Sequence, residues 1–274
     1  VVPYTRGVEI SRPAKQILNE AQELIDIGAK EIILLGQNVN AWSQSNGKDT
    51  DMTFAQLINE ISELNIERIR YITSHPRDMT EELMRAHRDI EKLQPYLHLP
   101  VQSGSDKILK EMNRNYSSQE YIDIIDKTRE YKQDIAISGD FIVGFPGETD
   151  DDFEATLDIV KRVKYAHAYS FKYSPRPGTP AALKYHQIDE EIKSERLKAL
   201  QDLIRQQTRD FNSSFFEKEI NVLIEKHGLG VNRLTGRSSY LQSVHMDGDP
   251  SFLGEIVKAK IIKTRDNSLE GIIL

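Results

Sequence analysis

Side chains able to bind a ligand or move a proton stand in loops that directly follow apolar, strand-like runs. The segment GQNVN at 36–40 contains Gln37 and Asn38, whose side-chain amides offer neutral hydrogen-bond donors and acceptors. The segment SHPR at 74–77 offers a histidine as a candidate acid–base group and an arginine as a candidate clamp for phosphate or carboxylate. A plain polar turn, with Asp78 capping the next helix, also explains these segments, so both interpretations stay open.

Two more apolar runs carry polar residues at or near their ends. Gln102 and Ser103 follow one run and precede Gly104 and a candidate helix start, where backbone amides attract carboxylate or phosphate. Asp140 lies inside the other run, where a carboxylate is costly unless it has a partner. That partner is either a ligand or the neighbouring backbone. The sequence contains no GxGxxG, GxSxG or HExxH segment, which weakens dinucleotide-binding and common hydrolase interpretations.

Apolar runs and amphipathic helices alternate over the first two hundred residues. Repeated β-α units predict parallel strands with right-handed crossovers, in an open sheet or a barrel, and place ligands at the carboxyl ends of the strands. A long polar helix is predicted at 189–217. The predicted strands before it are 31–35, 69–73, 96–101, 135–143 and 166–173.

Short strands separated by Gly, Asn and Asp turns follow the long helix and predict a small antiparallel barrel. Their predicted positions are 220–225, 233–235, 239–244, 254–264 and 268–274. From Gln207 onward the sequence has nine basic and nine acidic residues, so this part carries no net charge.

Composition limits the possible classes of protein. The chain has 274 residues, of which 38% are hydrophobic and 29% charged, enough to bury a sizeable core. It lacks an apolar run of about 20 residues and a signal-peptide profile at its start, so we expect a cytoplasmic protein that does not enter a membrane. It also lacks cysteine, which excludes disulfides, thiolate zinc sites and cysteine-held iron–sulfur clusters within this chain. A net charge of -7 argues against attraction of polyanions by the whole surface.

Taken together, five segments resemble the radical S-adenosylmethionine methylthiotransferases, and the tRNA-modifying branch of that family most closely. The segments are VVPYTRG at 1–7, LLGQNVN at 34–40, TSHPR at 73–77, LHLPVQSGSD at 97–106 and DFIVGFPGET at 140–149. The closing strands resemble a TRAM domain, a small RNA-binding β-barrel. The implied fold is α/β: a partial (β/α) radical-SAM-type barrel over 1–206, followed by a small antiparallel OB-like β-barrel over 207–274.

The resemblance implies methylthiolation at C2 of N6-isopentenyladenosine next to the anticodon, with S-adenosylmethionine and [4Fe–4S] clusters as cofactors. Family members hold the radical-generating cluster on a CxxxCxxC loop that ends just before the segment matching Val1. Because this sequence has no cysteine, we expect a fragment without the first barrel strand and the cluster loop, and we assign no metal ligand or catalytic residue in it. The alternatives are a relative that modifies another base or a ribosomal protein, and a non-catalytic RNA-binding remnant.

The resemblance also implies roles for individual residues. We expect Gln37 and Asn38 to bind the methionine or adenine end of S-adenosylmethionine, with Gln102 and Ser103 next to them and Asp140 toward the ribose or amino group. The anticodon stem-loop of tRNA is the expected partner of a monomeric protein. Its phosphates are expected on a basic face formed by Arg233, Arg237, Lys258, Lys260 and Lys263. Lys258 and Lys260 alternate along one strand and so share a face, although an ordinary solvated strand face explains the same pattern.

Overall fold

The structure is a computed structural model that describes residues 10–44, 52–184, 186–230 and 232–274. The segment VVPYTRG at 1–7 lies outside the described residues. The first part alternates strands and helices as predicted. In chain order its elements are α1 (Ala14–Asp26), β1 (Glu31–Leu34), β2 (Ser43–Gln44), β3 (Met52–Thr53), α2 (Phe54–Ser62), β4 (Arg68–Tyr71), α3 (Glu81–Asp89), β5 (Tyr96–His98), α4 (Asp106–Glu111), α5 (Ser118–Tyr131), β6 (Ala136–Val143), α6 (Asp150–Val163) and β7 (His167–Lys172).

Five of these strands run parallel in the order β1-β4-β5-β6-β7. Strand β1 pairs with β4, and β6 pairs with both β5 and β7. A single parallel bridge between Ile69 and Leu93 joins the two groups, supported by the bond from Gln94 N to Ile69 O at 3.0 Å. Strands β2 and β3 form a separate short hairpin. The observed topology is the predicted partial (β/α) barrel.

Local signals in the sequence set the helix ends. Ser117 with Glu120, and Thr149 with Asp152, form reciprocal capping boxes at the starts of α5 and α6, as their spacing predicts. Each box satisfies two backbone N–H groups that a helix start leaves without partners. Gly28 follows the end of α1 with a φ of +99°, a conformation that glycine adopts without steric cost.

The second part is a closed five-stranded barrel in the order β10-β12-β11-β8-β9. Its strands are β8 (Glu219–His227), β9 (Arg233–Ser238), β10 (Ser243–Asp247), β11 (Ile256–Thr264) and β12 (Ser268–Ile273). The barrel is antiparallel except for the parallel pair β10–β12, which the sequence analysis did not anticipate. The strand predicted at 239–244 was wrong, because 239–242 form a turn in which Leu241 has a φ of +67° and the Ser238 hydroxyl accepts the N–H groups of Tyr240 and Gln242.

Helix α7 (Glu190–Ser213) connects the two barrels. It runs without interruption through positions 206 and 207, where the domain boundary was predicted. Its inner side is buried against the first barrel at Leu200 and Ile204. No helix among the described residues combines the length and the apolar character needed to cross a bilayer.

Candidate functional site

The inner face of the parallel sheet carries partly exposed polar and aromatic side chains, and we refer to this face as the cleft. His98, Ser138 and Asp140 share this face, because residues paired directly across parallel strands point the same way and His98 pairs with Ser138. The His98 ring lies between the other two, with Nδ1 3.1 Å from Ser138 Oγ and Nε2 3.6 Å from Asp140 Oδ2. The Asp140 carboxylate therefore lies beside the His98 ring without a hydrogen bond to it, and its side chain remains 28% exposed toward the cleft.

One wall of this cleft is aromatic. Tyr169 pairs with Asp140 and Phe171 pairs with Ile142, so both rings stand on the inner face of the last parallel strand. They are 51% and 54% exposed, unusually high for aromatic rings on a barrel interior. Burial lowers the pKa of neighbouring His167, and the nearby His98 lowers it further, which disfavours its imidazolium form. The cleft thus joins flat apolar surface to hydrogen-bonding groups, a combination that suits a nucleoside.

The loop after β1 supplies a second polar edge. Gln37 is exposed, whereas Asn38 is half-buried and donates from Nδ2 to Asp78 Oδ2 at 2.7 Å. The Asn38 Oδ1 atom is buried and has no hydrogen-bond partner among the described residues, although buried polar atoms in folded proteins nearly always have one. A buried acceptor without a partner is a candidate for contact with a ligand. Asp78 does not cap the following helix, because Thr80 does.

Two reciprocal hydrogen bonds fix this loop to the SHPR segment. The Asn40 side chain donates to His75 O at 2.9 Å and accepts from His75 N at 2.8 Å. The His75 ring also stands edge-on to Tyr116, with centroids 5.5 Å apart. Burial and then the charge of Arg114 lower the pKa of His75, which disfavours its imidazolium form. The segment thus positions the polar edge of the cleft.

Gln102 and Ser103 are adjacent in sequence but have different surroundings. Gln102 has a φ of +77°, and its backbone bonds to Asp140 O and Ile142 N bring the half-buried residue beside the cleft. Ser103 is only 1% exposed, and its hydroxyl accepts Ser105 N at 3.2 Å. Its surroundings are those of a residue that shapes the turn. The turn also needs Gly104, where an added Cβ would come within 2.2 Å of Ala155 O.

A buried ion pair after β6 was not foreseen from the sequence. Glu148 is 4% exposed, accepts the Gly144 N–H and pairs with Arg196 of α7 at 2.8 Å. Burial raises the pKa of Glu148, while the Gly144 N–H and the Arg196 charge oppose that rise. The aromatic wall was missed too. The alternation in AHAYSFKY at 166–173 was the available signal for it.

The five basic candidates of the second barrel differ in how far acidic neighbours neutralise them. Arg233 pairs with Asp247 and Glu270, Arg237 with Glu225, and Lys258 with Glu219 at 2.6 Å. Lys260 and Lys263 make no ion pair within the described ranges. A bulge between Ile261 and Lys263 places Lys263 opposite Glu270 on the outer face, which simple alternation from Lys260 does not predict.

The two expected cofactors fit this chain differently. The cleft, with its aromatic wall, carboxylate and orphaned amide oxygen, fits the nucleoside and amino-acid ends of S-adenosylmethionine. The sequence has no cysteine, and no cluster of three His, Asp or Glu residues occurs among the residues the structure describes. The residues present therefore offer no ligand set for an iron–sulfur cluster.

Comparison with known proteins identifies both parts of the chain. The Radical SAM superfamily model matches residues 2–160, and the TRAM domain model matches residues 217–274. The tRNA-2-methylthio-N(6)-dimethylallyladenosine synthase of Agrobacterium fabrum is 54% identical over 98% of this chain and 59% of its own length. The synthase of the same name from Maricaulis maris is 52% identical over 99% of this chain and 60% of its own length. The chain thus spans about three fifths of the length of these curated relatives.

Solved structures support the fold alone. Coproporphyrinogen III oxidase from Escherichia coli, described as a radical SAM enzyme, superposes with a TM-score of 0.51 at 15% identity, covering 95% of this chain and 65% of that one. The radical S-adenosylmethionine methyltransferase TsrM from Kitasatospora setae gives a TM-score of 0.50 at 16% identity, covering 63% of this chain and 33% of that one.

Proposed function

Because the chain belongs to the Radical SAM superfamily, we propose that it is the S-adenosylmethionine- and RNA-binding part of a tRNA methylthiotransferase. The proposed reaction adds a methylthio group at C2 of N6-dimethylallyladenosine next to the anticodon, in cytoplasmic tRNA. The observation that carries this proposal is the identity of 49–54% along nearly the whole chain with synthases named for that product. The pairing of a radical SAM domain with a TRAM domain supports it.

The chain's own residues have binding and orienting roles in this proposal. S-adenosylmethionine supplies the methyl group of the product. Asp140 accepts hydrogen bonds from its hydroxyl or amino groups, and the orphaned Asn38 Oδ1 accepts one more. Tyr169 and Phe171 exclude water from the flat base. Gln37 and Gln102 complete the polar edge, and Ser103 contributes by shaping the turn. Ligands for a cluster belong to the family segment that this sequence does not match.

A genetic experiment tests the reaction. Deletion of the gene should leave N6-dimethylallyladenosine in tRNA and remove its 2-methylthio derivative, measured by mass spectrometry of digested tRNA. The full-length reading frame should restore the derivative, and the same frame with Asp140→Ala should not. Unchanged nucleosides after deletion would contradict the proposed substrate. Loss of methylthiolation from a ribosomal protein would instead favour the alternative substrate.

Calorimetry tests the cleft independently of the reaction. We expect S-adenosylmethionine to bind this chain weakly, and Asp140→Ala to weaken binding at least tenfold, a loss of about 1.4 kcal/mol. Asp158→Ala is the matched control, because Asp158 lies on the outer surface of α6 and pairs with Lys161. Equal affinities for the Asp140 variant and the unchanged chain would remove Asp140 from the ligand set.

A further inference from the structure

We propose that Arg68 and Arg70 are positioning residues that fix the orientation of the TRAM barrel against the floor of the partial barrel. The floor is the end of the partial barrel opposite the strand-end loops. RNA bound to the TRAM barrel would then reach the cleft in a single orientation. The consequence for RNA rests on the proposed function, whereas the fixed orientation is a property of this chain alone.

The two arginines occupy places where a parallel sheet ordinarily carries apolar side chains. They alternate along β4, so they share one face, and they are only 3% and 1% exposed. Burial lowers the pKa of Arg68 to about 10 and also lowers that of Arg70, with Glu31 opposing both effects. Placing two guanidinium groups here is costly, and apolar residues of similar volume would seal an interface at lower cost.

What these guanidinium groups bind is the backbone of the second barrel. Arg68 donates to Asn221 O at 3.0 Å and to Arg237 O at 3.1 Å. Arg70 donates to Ser238 O at 2.8 Å and to Ser239 O at 2.7 Å. The four carbonyls belong to β8, to the end of β9 and to the turn after it. Two planar forks that each engage two fixed carbonyls restrict rotation as well as separation.

Glu31 of β1 completes the cluster. Its Oε2 atom lies 2.9 Å from Arg70 Nε and 3.9 Å from Arg68 Nη1, and its side chain is 7% exposed. The carboxylate balances one of the two buried charges, and the carbonyl dipoles of the TRAM barrel solvate the rest. The arginines are therefore fully satisfied only while the two barrels are docked.

The turn after Ser239 adds a second contact on the same floor. Tyr240 donates to Asp134 Oδ2 at 2.6 Å, and Leu241 packs against the cluster of Tyr96, Ala136 and Ala166. This contact closes the end of the partial barrel opposite the strand-end loops. Helix α7 connects the barrels covalently, but a single helix does not by itself define the rotation between them.

Distance measurements between two spin labels test the proposal. The sequence lacks cysteine, so Lys110→Cys and Ser251→Cys, both at exposed positions, would be the only labelling sites. Double electron–electron resonance on this chain should give one narrow distance distribution. Adding Arg68→Met and Arg70→Met should broaden it or add a second distance.

Arg129→Met is the matched control, because Arg129 also donates to a backbone carbonyl, Val163 O at 2.6 Å, but lies away from the second barrel. It should leave the distribution narrow. Should the double variant fail to fold, as judged by far-ultraviolet circular dichroism, Arg70→Lys decides. It keeps the charge and loses the fork, so broadening supports the proposal. A distribution as narrow as that of the unchanged chain, in either folded variant, overturns it.

Kinetics of the full-length enzyme test the consequence for RNA. Arg70→Lys should leave RNA affinity within about twofold and lower kcat, by up to about a hundredfold if the reacting base shifts by 1 Å. A loss of RNA affinity with kcat unchanged would show that Arg70 serves binding only and would overturn its positioning role. If the enzyme does not modify tRNA, the distance measurement still stands, so failure of the proposed function and failure of the positioning role give different results.

Discussion

The two faces of the parallel sheet differ in how far their side chains are exposed. On the outer face, Leu97, Leu99 and Phe141 are 0% exposed beneath the helices, and the buried Tyr121 hydroxyl donates to Leu99 O at 2.9 Å. On the inner face, Asp140 and Phe171 remain partly exposed. The outer face therefore stabilises the fold, whereas the inner face leaves groups available to a ligand.

The largest expected effect is the difference in unfolding free energy between a variant of the outer face and a variant of the inner face. Leu97→Ala should lower the free energy of unfolding by about 2–5 kcal/mol, because the removed side chain leaves a cavity in close-packed surroundings. Phe171→Ala should cost less than about 1 kcal/mol, because the ring is already half exposed. Urea unfolding followed by the fluorescence of Trp42, the single tryptophan of the chain, measures both. Similar losses for the two variants would show that the inner face is part of the core.

The pH dependence of the unfolding free energy provides a second test of burial beneath the outer face. His87 lies at 2% exposure with Nε2 2.7 Å from the Tyr71 hydroxyl, and burial, then the Lys132 charge, lowers its pKa to about 3. Between pH 6.5 and this value the unfolded chain binds a proton that the folded chain does not. Lowering the pH across that window should therefore reduce the free energy of unfolding by up to about 1.4 kcal/mol per pH unit.

Variants assign this pH dependence. His87→Phe should flatten the slope of unfolding free energy against pH in that range. His227→Gln should not, because His227 is exposed. Urea titrations at several pH values between 6.5 and 4 provide the measurement, and an unchanged slope in the His87 variant would assign the effect to other groups.

Local patterns predicted most of the fold, and contacts between distant segments account for the rest. The capping pairs Ser117–Glu120 and Thr149–Asp152 depend on residues three positions apart, a local spacing that can be recognised in the sequence alone. The parallel pair β10–β12 depends on barrel closure, which the sequence does not specify locally. The strand predicted at 239–244 failed for a related reason. Its apolar Leu241 packs against the other barrel and not within its own.

The candidate site, too, could be predicted from the sequence only in part. Asp140 stood out because a carboxylate inside an apolar strand needs a partner, and the structure places it beside His98 with its side chain partly exposed toward the cleft. The arginines of β4 did not stand out, because alternating charge and apolar character is ordinary for a half-buried strand. Their partners are backbone carbonyls more than 150 positions along the chain, and no side-chain pattern identifies a carbonyl.

The smallest expected effect concerns the TRAM barrel. Lys258, Lys260 and Lys263 were all expected as phosphate contacts, but Lys258 pairs with Glu219 at 2.6 Å, whereas the other two make no ion pair within the described part of the chain. A lysine that already has a partner displaces fewer counterions when RNA binds. Lys260→Ala and Lys263→Ala should therefore each reduce the log–log slope of affinity against salt by about 0.7–0.9, and Lys258→Ala by less.

Filter binding of an anticodon stem-loop RNA at several salt concentrations measures these slopes. Binding of an unrelated RNA should weaken to the same extent, because phosphate contacts position a protein without reading sequence. The Lys258 variant serves as the matched control, since it removes the same charge from the same strand. A reduction with Lys258→Ala as large as with the other two would show that Glu219 releases its lysine to RNA. Unchanged slopes in all three variants would place the RNA contacts elsewhere, with Arg233 and Arg237 the next residues to replace.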